Sequence, residues 1–248
     1  MDMPSSGLAL SSCYAELLSQ VASDSSLHRL TDEDALLLLV ALWSDVVHVY
    51  RLSCGGKGTE DSRQPDSQSE LLVPRHSDPF APLSPAFERK RLQDKLLAAL
   101  VNWDMIFAAT VAGDVLTLYH YCRMIATCPE VLSLPSLVGY SPARNAPRPT
   151  SRDVASQFPV IGDEVRDLAM LVLAHATVKS GDPAIRVQIW LPVVVFQAAL
   201  AVWAHSTQST VCQERRPRIL ASFIRTLNAL PWPCCKQMAS ILQRCSER

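Results

Sequence analysis

The sequence is poor in the residues that build β-structure and tight turns. Only 8 of its 248 residues are glycine, and the Asn-Gly dipeptide that closes many two-residue β-hairpins is absent. Leucine and alanine are abundant instead, and 48% of the chain is hydrophobic. We therefore expect an all-α protein, a multi-helix bundle in which residues 1–248 form a single domain.

The sequence also lacks an excess of charge of either sign. Its 23 Lys and Arg residues face 24 Asp and Glu residues, which gives a net charge of −1. A broad positive field that would attract nucleic acid is therefore not expected. The basic cluster of note is Arg215, Arg216 and Arg218, with Arg225 nearby. A solvated helix start is the ordinary interpretation, and contact with phosphate or an acidic segment is the alternative.

Paired zinc ligands are missing. The chain has eight cysteines and six histidines, but no Cys-x-x-Cys and no His-x3–5-His. His120 and Cys122 form the closest pairing, and at helical spacing their side chains point to different faces. Cys234 and Cys235 are adjacent, an arrangement that rarely holds a metal. We predict no catalytic residue, no metal and no cofactor in this chain, although folding can still bring a cysteine and a histidine together as a nucleophilic pair.

The first residues lack the basic region and the continuous apolar stretch of a secretory signal. Free thiols in a reducing compartment are therefore expected. The Gly55-Gly56-Lys57-Gly58 stretch hints at phosphate binding. A phosphate loop, however, needs a glycine where Arg51 stands and a serine or threonine where Gly58 stands. We therefore predict no nucleotide site there.

Two apolar runs, Ala35–Tyr50 and Ile185–His205, raise the question of membrane spans. The first is shorter than the roughly 20 apolar residues that a span needs and carries Asp45 and His48. The second is interrupted by Pro192, which must kink or restart a helix, and contains Gln188 and Gln197. Both runs are predicted to be buried core helices of a protein that does not use a membrane.

The stretch from Leu83 to Leu134 predicts a helical hairpin at the centre of the chain. Leu92, Leu96, Leu100, Trp103 and Phe107 recur at helical spacing after Pro85. Gly113 is expected to end the first helix with a positive φ, and Asp114 to cap the second. Pro129 is expected to stop that second helix.

Other local signals set the remaining boundaries. Tyr14–Val21 predicts a short helix after frayed residues 1–12. Thr31 can cap the next helix, and the three acidic residues after it favour the positive end of the helix dipole. Gly162 or Asp163 can cap a later helix, and Trp232-Pro233 separates the last two. Two Pro-rich stretches, at about 53–82 and 139–159, are predicted to be long flexible insertions.

Three stretches resemble the fungal-specific transcription factor domain, the middle homology region of fungal zinc-finger and zinc-cluster regulators. They are LSPAFERKRLQDKLLAALVNWDMIF, DVLTLYHYCRMIATCPEVLSL and IWLPVVVFQAALAVWAH. Together with the leucine-rich helix before them, the likeness covers about two-thirds of the chain. The residues that carry it are Leu96, Leu100, Trp103, Leu118, Tyr119, His120, Pro129, Trp190, Pro192, Phe196, Ala198, Ala199 and Trp203.

The resemblance implies a nuclear, all-helical regulatory domain that is not an enzyme. Such a domain controls RNA polymerase II transcription through protein or ligand interactions, with transcription machinery or co-regulators as partners and a homodimer as a further option. The family's zinc-bearing DNA-binding module does not lie in this chain, so DNA and zinc recognition would belong to an absent N-terminal part. The matching positions are packing positions, so no functional residue is carried over.

Two other classes of protein remain as alternatives. A helical enzyme or stand-alone binding protein would use an apolar pocket, and an enzyme of this kind would need acidic or histidine-rich metal motifs. Thr31-Asp32-Glu33-Asp34 is the one acidic cluster, and helix capping explains it. A membrane-associated protein would instead use Ala35–Tyr50 and Val187–Ala204 as paired spans.

Overall fold

The computed structural model describes residues 6–19, 30–54, 85–140, 159–176, 188–208 and 214–247. Within these ranges all regular structure is helical, which confirms the all-α prediction. The helices are α1 Ser6–Leu18, α2 Asp32–Cys54, α3 Pro85–Phe107, α4 Gly113–Thr127, α5 Leu134–Leu137, α6 Asp163–His175, α7 Leu191–Gln208, α8 Arg216–Ala229 and α9 Pro233–Ser246, with a 3-10 turn over Pro129–Ser133 between α4 and α5. The predicted insertions and the Gly55–Gly58 stretch lie largely or wholly outside the described residues.

Most helix boundaries follow from local chemistry. Before α2, the Thr31 hydroxyl accepts a hydrogen bond from the Asp34 N–H at 3.3 Å, and the Asp34 carboxylate accepts one from the Thr31 N–H at 3.0 Å. Capping by Thr31 is therefore confirmed, and the return bond to Asp34 makes the pair a capping box. Pro192 stands in the first turn of α7, where its missing N–H costs no helical hydrogen bond. Pro192 therefore lies at the start of a new helix rather than at a kink within one.

Two boundary predictions are wrong. Helix α1 begins at Ser6, so the residues from there to Ser12 are helical rather than frayed. At the central hairpin, α3 ends at Phe107 and Ala112 occupies the N-cap position of α4. The connection over 108–112 is long enough to turn without a left-handed residue, and among the described glycines only Gly139 has a positive φ, of 79°.

Asp114 takes a position different from the predicted cap. It lies inside the first turn of α4, where its carboxylate accepts a hydrogen bond from the Val115 N–H at 2.9 Å. An acidic side chain there still interacts favourably with the positive end of the helix dipole. The predicted stop at Pro129 is confirmed, because α4 ends at Thr127.

Helix α7 is the central element of the bundle. It packs against α4, α6, α8 and α9 as well as the 3-10 turn and α5. All of its residues are buried except Val193, Thr207 and Gln208. Because other helices surround α7, its apolar side chains are buried on nearly every face.

The N-terminal helices form a second group. Helix α2 packs on α3, α4 and, more lightly, α1, and α1 also packs on α3. Asn102 of α3 donates a hydrogen bond to the Leu17 carbonyl at 3.2 Å. The buried face of α2 consists of Ala35, Leu38, Leu39, Leu42, Val46 and Val49. Helix α4 joins the two groups, because it contacts α2 and α3 on one side and α6 and α7 on the other.

Aromatic side chains tie these helices together in the core. The Trp103 indole N–H donates to the Ala35 carbonyl at 2.9 Å, and its ring stacks on Tyr119 with centroids 5.2 Å apart. The Trp203 indole N–H donates to the Cys245 carbonyl at 3.0 Å. Each indole therefore buries its ring and satisfies its polar atom at the same time. In the part of the chain with described structure, no helix has both the length and the apolar character to cross a membrane.

Candidate functional site

His120 and Cys122, the closest pairing of possible metal ligands in the sequence, have different surroundings, as predicted. The Cys122 side chain is fully buried, and burial raises the pKa of its thiol. His120 is partly buried, and its ring stacks on that of His175 with centroids 5.1 Å apart. Burial lowers the pKa of His120 to about 4, with smaller contributions from His175 and Arg123. No pattern in the sequence pointed to His175, which lies 55 positions further along the chain.

The two histidine rings do not form a metal centre. Their planes are nearly parallel, at 23°, so the ring faces oppose each other. Among the described residues no group of three His, Cys, Asp or Glu side chains is placed to hold a metal ion. His120 Nδ1 is buried without a hydrogen-bond partner. The pair is best understood as a stacked contact between α4 and α6 in which burial favours the neutral form of His120.

The other cysteines that the described structure shows as buried behave as packing residues rather than as exposed nucleophiles. Cys235 is buried, and burial together with the neighbouring Cys234 raises the pKa of its thiol to about 11. The pKa of Cys128 is raised to about 12 by burial and then by Glu130. Cys13 and Cys245 are buried as well. A thiol needs a lowered pKa to react at neutral pH, so these cysteines behave as packing residues.

The basic cluster lies at the start of α8. Arg215, Arg218 and Arg225 are exposed, and Arg225 donates a hydrogen bond to the Ser222 hydroxyl at 3.1 Å. Arg216 is partly buried, with its Nε atom enclosed and unpartnered. The exposed guanidinium groups match the ordinary interpretation of a solvated helix start. The arginines at 144, 148 and 152 lie outside the described residues.

Two buried polar contacts join distant parts of the chain. The Tyr121 hydroxyl donates to Gln197 Oε1 at 2.5 Å and links α4 to α7 inside the core. His205 Nε2 of α7 lies 3.1 Å from Asp163 Oδ1, which also accepts from Arg166 Nη1 at 2.6 Å. Sequence reasoning missed both contacts because their members are 76 and 42 positions apart.

The His205–Asp163 contact has the composition of a catalytic dyad, but among the described residues the neighbouring serine is not placed as a nucleophile. The neighbouring Ser206 is buried, and its hydroxyl donates to the Trp203 carbonyl at 2.7 Å. Asp163 is largely exposed and stands at the first position of α6. The contact therefore fastens the end of α7 to the start of α6.

A groove with an apolar lining lies between α1 and α2. It encloses about 340 Å³ and is lined by Leu10, Ser11, Tyr14, Leu37, Leu38 and Ala41. The Tyr14 hydroxyl donates to Asp45 Oδ2 at 2.5 Å, which ties α1 to α2 along the groove. Burial and this hydrogen bond raise the pKa of Tyr14, so the hydroxyl keeps its proton. We refer to this feature as the α1–α2 groove.

The sequence signal for this groove was present but ambiguous. Leu37 and Val40 belong to the apolar Ala35–Tyr50 run, which was predicted to be buried. In the fold these two side chains are 55% and 37% exposed. A run that is apolar on every face does not tell which face a neighbouring helix will leave open.

No family model, no curated protein and no solved structure matches this chain.

Proposed function

We propose that this chain is the regulatory interaction domain of a fungal transcription factor. In this role it acts in the nucleus without catalysis and controls RNA polymerase II transcription by contacting co-regulators or the transcription machinery, or by binding a ligand. Contact with DNA would come from a zinc module outside this chain. The proposal rests on the resemblance of the three stretches described above.

One structural observation supports the proposal. Most of the residues that carry the resemblance are buried in the core, whereas His120, Pro129 and Trp190 are partly buried. Trp103, Tyr119, Phe196 and Trp203 are at most 5% exposed. They lie on α3, α4 and α7, so the pattern spans both groups of helices.

The chemistry of the described residues favours recognition over turnover. The cysteine thiols that titrate abnormally have raised pKa values, and the serine beside the His205–Asp163 contact is not placed as a nucleophile. The α1–α2 groove is open and apolar, a surface suited to a protein partner. A helical bundle of this kind supplies a rigid frame on which such a surface is presented.

A reporter experiment tests this proposal. The chain is fused to an unrelated DNA-binding domain and expressed in a fungal cell that carries the matching operator before a reporter gene. We expect reporter transcription to rise or fall severalfold relative to the DNA-binding domain alone, and a fluorescent fusion to accumulate in the nucleus. The matched control carries Trp103→Ala, which disrupts the core. Reporter output equal to that of the DNA-binding domain alone, from a fusion that is folded and nuclear, would refute the proposed role.

A further inference from the structure

We propose that the α1–α2 groove binds one amphipathic helix of a partner protein, with an apolar stripe flanked at both ends by lysine or arginine. This inference rests on the proposed role as an interaction domain and names the chemistry of the partner. Amphipathic helices that bind in grooves use anchors at i, i+3 or i+4, and i+7.

The apolar part of the recognition surface lies on α2. Leu37 and Val40 are 55% and 37% exposed, and Ala41 lies beside them one turn after Leu37. The opposite wall comes from Leu10 and Tyr14 of α1. Residues three and four positions apart share one face of a helix, so these side chains form a continuous strip along the groove.

Carboxylates stand at both ends of this strip. Glu33 precedes Leu37 by four positions and Asp45 follows Ala41 by four, so each stands about one turn beyond an end of the strip. At 3.6 residues per turn the two carboxylates are about 120° apart around the helix axis, one on each flank of the strip. Both residues are exposed. Twelve positions of α-helix place them about 18 Å apart along the axis. Asp34 is used in the capping box, and Asp45 Oδ2 accepts the hydrogen bond from Tyr14, which leaves Oδ1 of Asp45 as the atom that would meet a partner. Asp32 is exposed and adds further negative charge.

No cation balances these charges on the two helices that form the groove. Helix α1 contains no lysine or arginine, and the first such residue of α2 is Arg51, near its C-terminus. A bound helix with cationic residues about 18 Å apart would meet a carboxylate at each end. Because both ends are acidic, either direction of the bound helix satisfies this requirement.

The shape of the groove favours side chains of a helix over a free small molecule. Pockets for drug-sized ligands enclose roughly 300–1,000 Å³ and bury most of the ligand surface. The α1–α2 groove has about 340 Å³, at the lower end of that range, and is open to solvent along its length. One or two large apolar side chains from a helix would fill it while the rest of that helix stayed on the surface.

The test uses the full chain and a fluorescein-labelled synthetic helix. Its sequence places leucines at i, i+4 and i+7 and lysine pairs about 18 Å apart, outside the leucines. Fluorescence anisotropy measures binding at low salt. We expect saturable binding at micromolar concentration, which Leu37→Asp weakens at least tenfold. The matched control is Leu171→Asp on α6, where the leucine is 42% exposed and lies outside the groove. Circular dichroism melts confirm that both variants fold.

A protein variant and a peptide with reversed charge test the electrostatic part of the proposal separately from the apolar part. Glu33→Lys is expected to weaken binding severalfold and to flatten its salt dependence, because one end of the groove changes sign. A peptide with glutamate in place of every lysine is expected not to bind. Equal binding of the two peptides, equal loss from Leu171→Asp and Leu37→Asp, or no saturable binding of the lysine peptide would each overturn the proposal.

Two other occupants appear as distinct outcomes. If sedimentation shows a dimer that Leu37→Asp dissociates, and the peptide does not compete, the groove binds a second copy of the chain and the proposal is wrong. If an uncharged apolar dye saturates the groove and the peptide does not displace it, the ligand is a small molecule and the proposal is again wrong. The reporter assay is independent: an active fusion with no peptide binding refutes the partner helix alone, whereas an inactive fusion refutes the proposed function.

Discussion

Helices α2 and α7 have similar sequences in physical terms but different surroundings. Both are rich in apolar residues on every face, and both raised the question of a membrane span. Helix α7 lies between α4, α6, α8 and α9, and only Val193 among its apolar residues is exposed. Helix α2 is covered on one side, and Leu37 and Val40 remain open. Apolar composition therefore sets how much of a helix can be buried, whereas the neighbours decide how much is buried.

The difference has a plain topological origin. Helix α7 is preceded and followed in the chain by helices that pack against it, and α4 joins from the other group. The partner of α2 on its open side is α1, a helix of 13 residues that makes only a light contact. A short, lightly packed neighbour leaves a groove where a longer one would have sealed the face. Four experiments test this difference between the two helices.

The largest expected effect comes from removing a core indole. Trp203 of α7 is 5% exposed and donates to the Cys245 carbonyl, and Trp103 is fully buried and donates to the Ala35 carbonyl. Trp203→Ala and Trp103→Ala are each expected to lower the free energy of unfolding by about 3–5 kcal/mol, measured by urea titration. A change near zero for both would mean that the helices do not pack around these residues.

The next largest effect is the removal of a leucine from α7. Leu200 is fully buried, so Leu200→Ala leaves a cavity where four helices meet. We expect the free energy of unfolding to fall by about 2–5 kcal/mol. The measurement is the midpoint and slope of the same urea transition. A loss below about 1 kcal/mol would show that α7 is less tightly enclosed than the structure indicates.

A pH-dependent effect is expected where α4 meets α6, beside α7. The pKa of His120 falls from 6.5 to about 4 on folding. The unfolded chain therefore takes up a proton as the pH falls below 6.5, while the folded chain takes it up only near 4. The contribution of the neutral His120 to stability is therefore fully present above pH 6.5 and is lost progressively as the pH falls towards about 4. Urea titrations at several pH values are expected to show that the free energy of unfolding falls less steeply with falling pH in His120→Gln than in the unaltered protein. Parallel curves for the two proteins would contradict a buried, neutral His120.

The smallest effect on stability is expected on the open face of α2. Leu37→Ala makes the same chemical change as Leu200→Ala but at a side chain that is 55% exposed. We expect the free energy of unfolding to change by no more than about 0.5 kcal/mol. Peptide binding to the α1–α2 groove, in contrast, should weaken. If Leu37→Ala and Leu200→Ala lowered the free energy of unfolding equally, α2 and α7 would not differ in burial at these two positions.

Local chemistry made much of the fold predictable. The Thr31–Asp34 capping box, Pro85 at the start of α3, Pro192 in the first turn of α7 and Pro233 at the start of α9 all act within one helical turn. The burial of Trp103 and Trp203 followed from helical spacing. Gly113 was misjudged because the turn over 108–112 contains five residues and closes without a left-handed conformation.

The candidate site was not predictable in the same way. The stacking of His120 on His175 and the hydrogen bond from Tyr121 to Gln197 depend on which helices become neighbours. The groove depends on a missing neighbour, since Leu37 is exposed only because nothing in the described structure covers it. Hydrophobic periodicity carries information about one helix at a time, and these features belong to pairs of helices.

The burial of the thiols gives the protein a set of internal reporters. Five of the six cysteines whose side chains the structure describes are buried, and they are distributed over α1, α4, the position before the 3-10 turn and α9. An alkylating reagent can modify such a thiol only when the surrounding helix opens, so each modification rate measures a local opening equilibrium. Cys13, on the lightly packed α1, would be modified before Cys122 at the centre of the bundle. The order in which mass is gained would thus trace how the native structure comes apart, helix by helix, without any engineered probe.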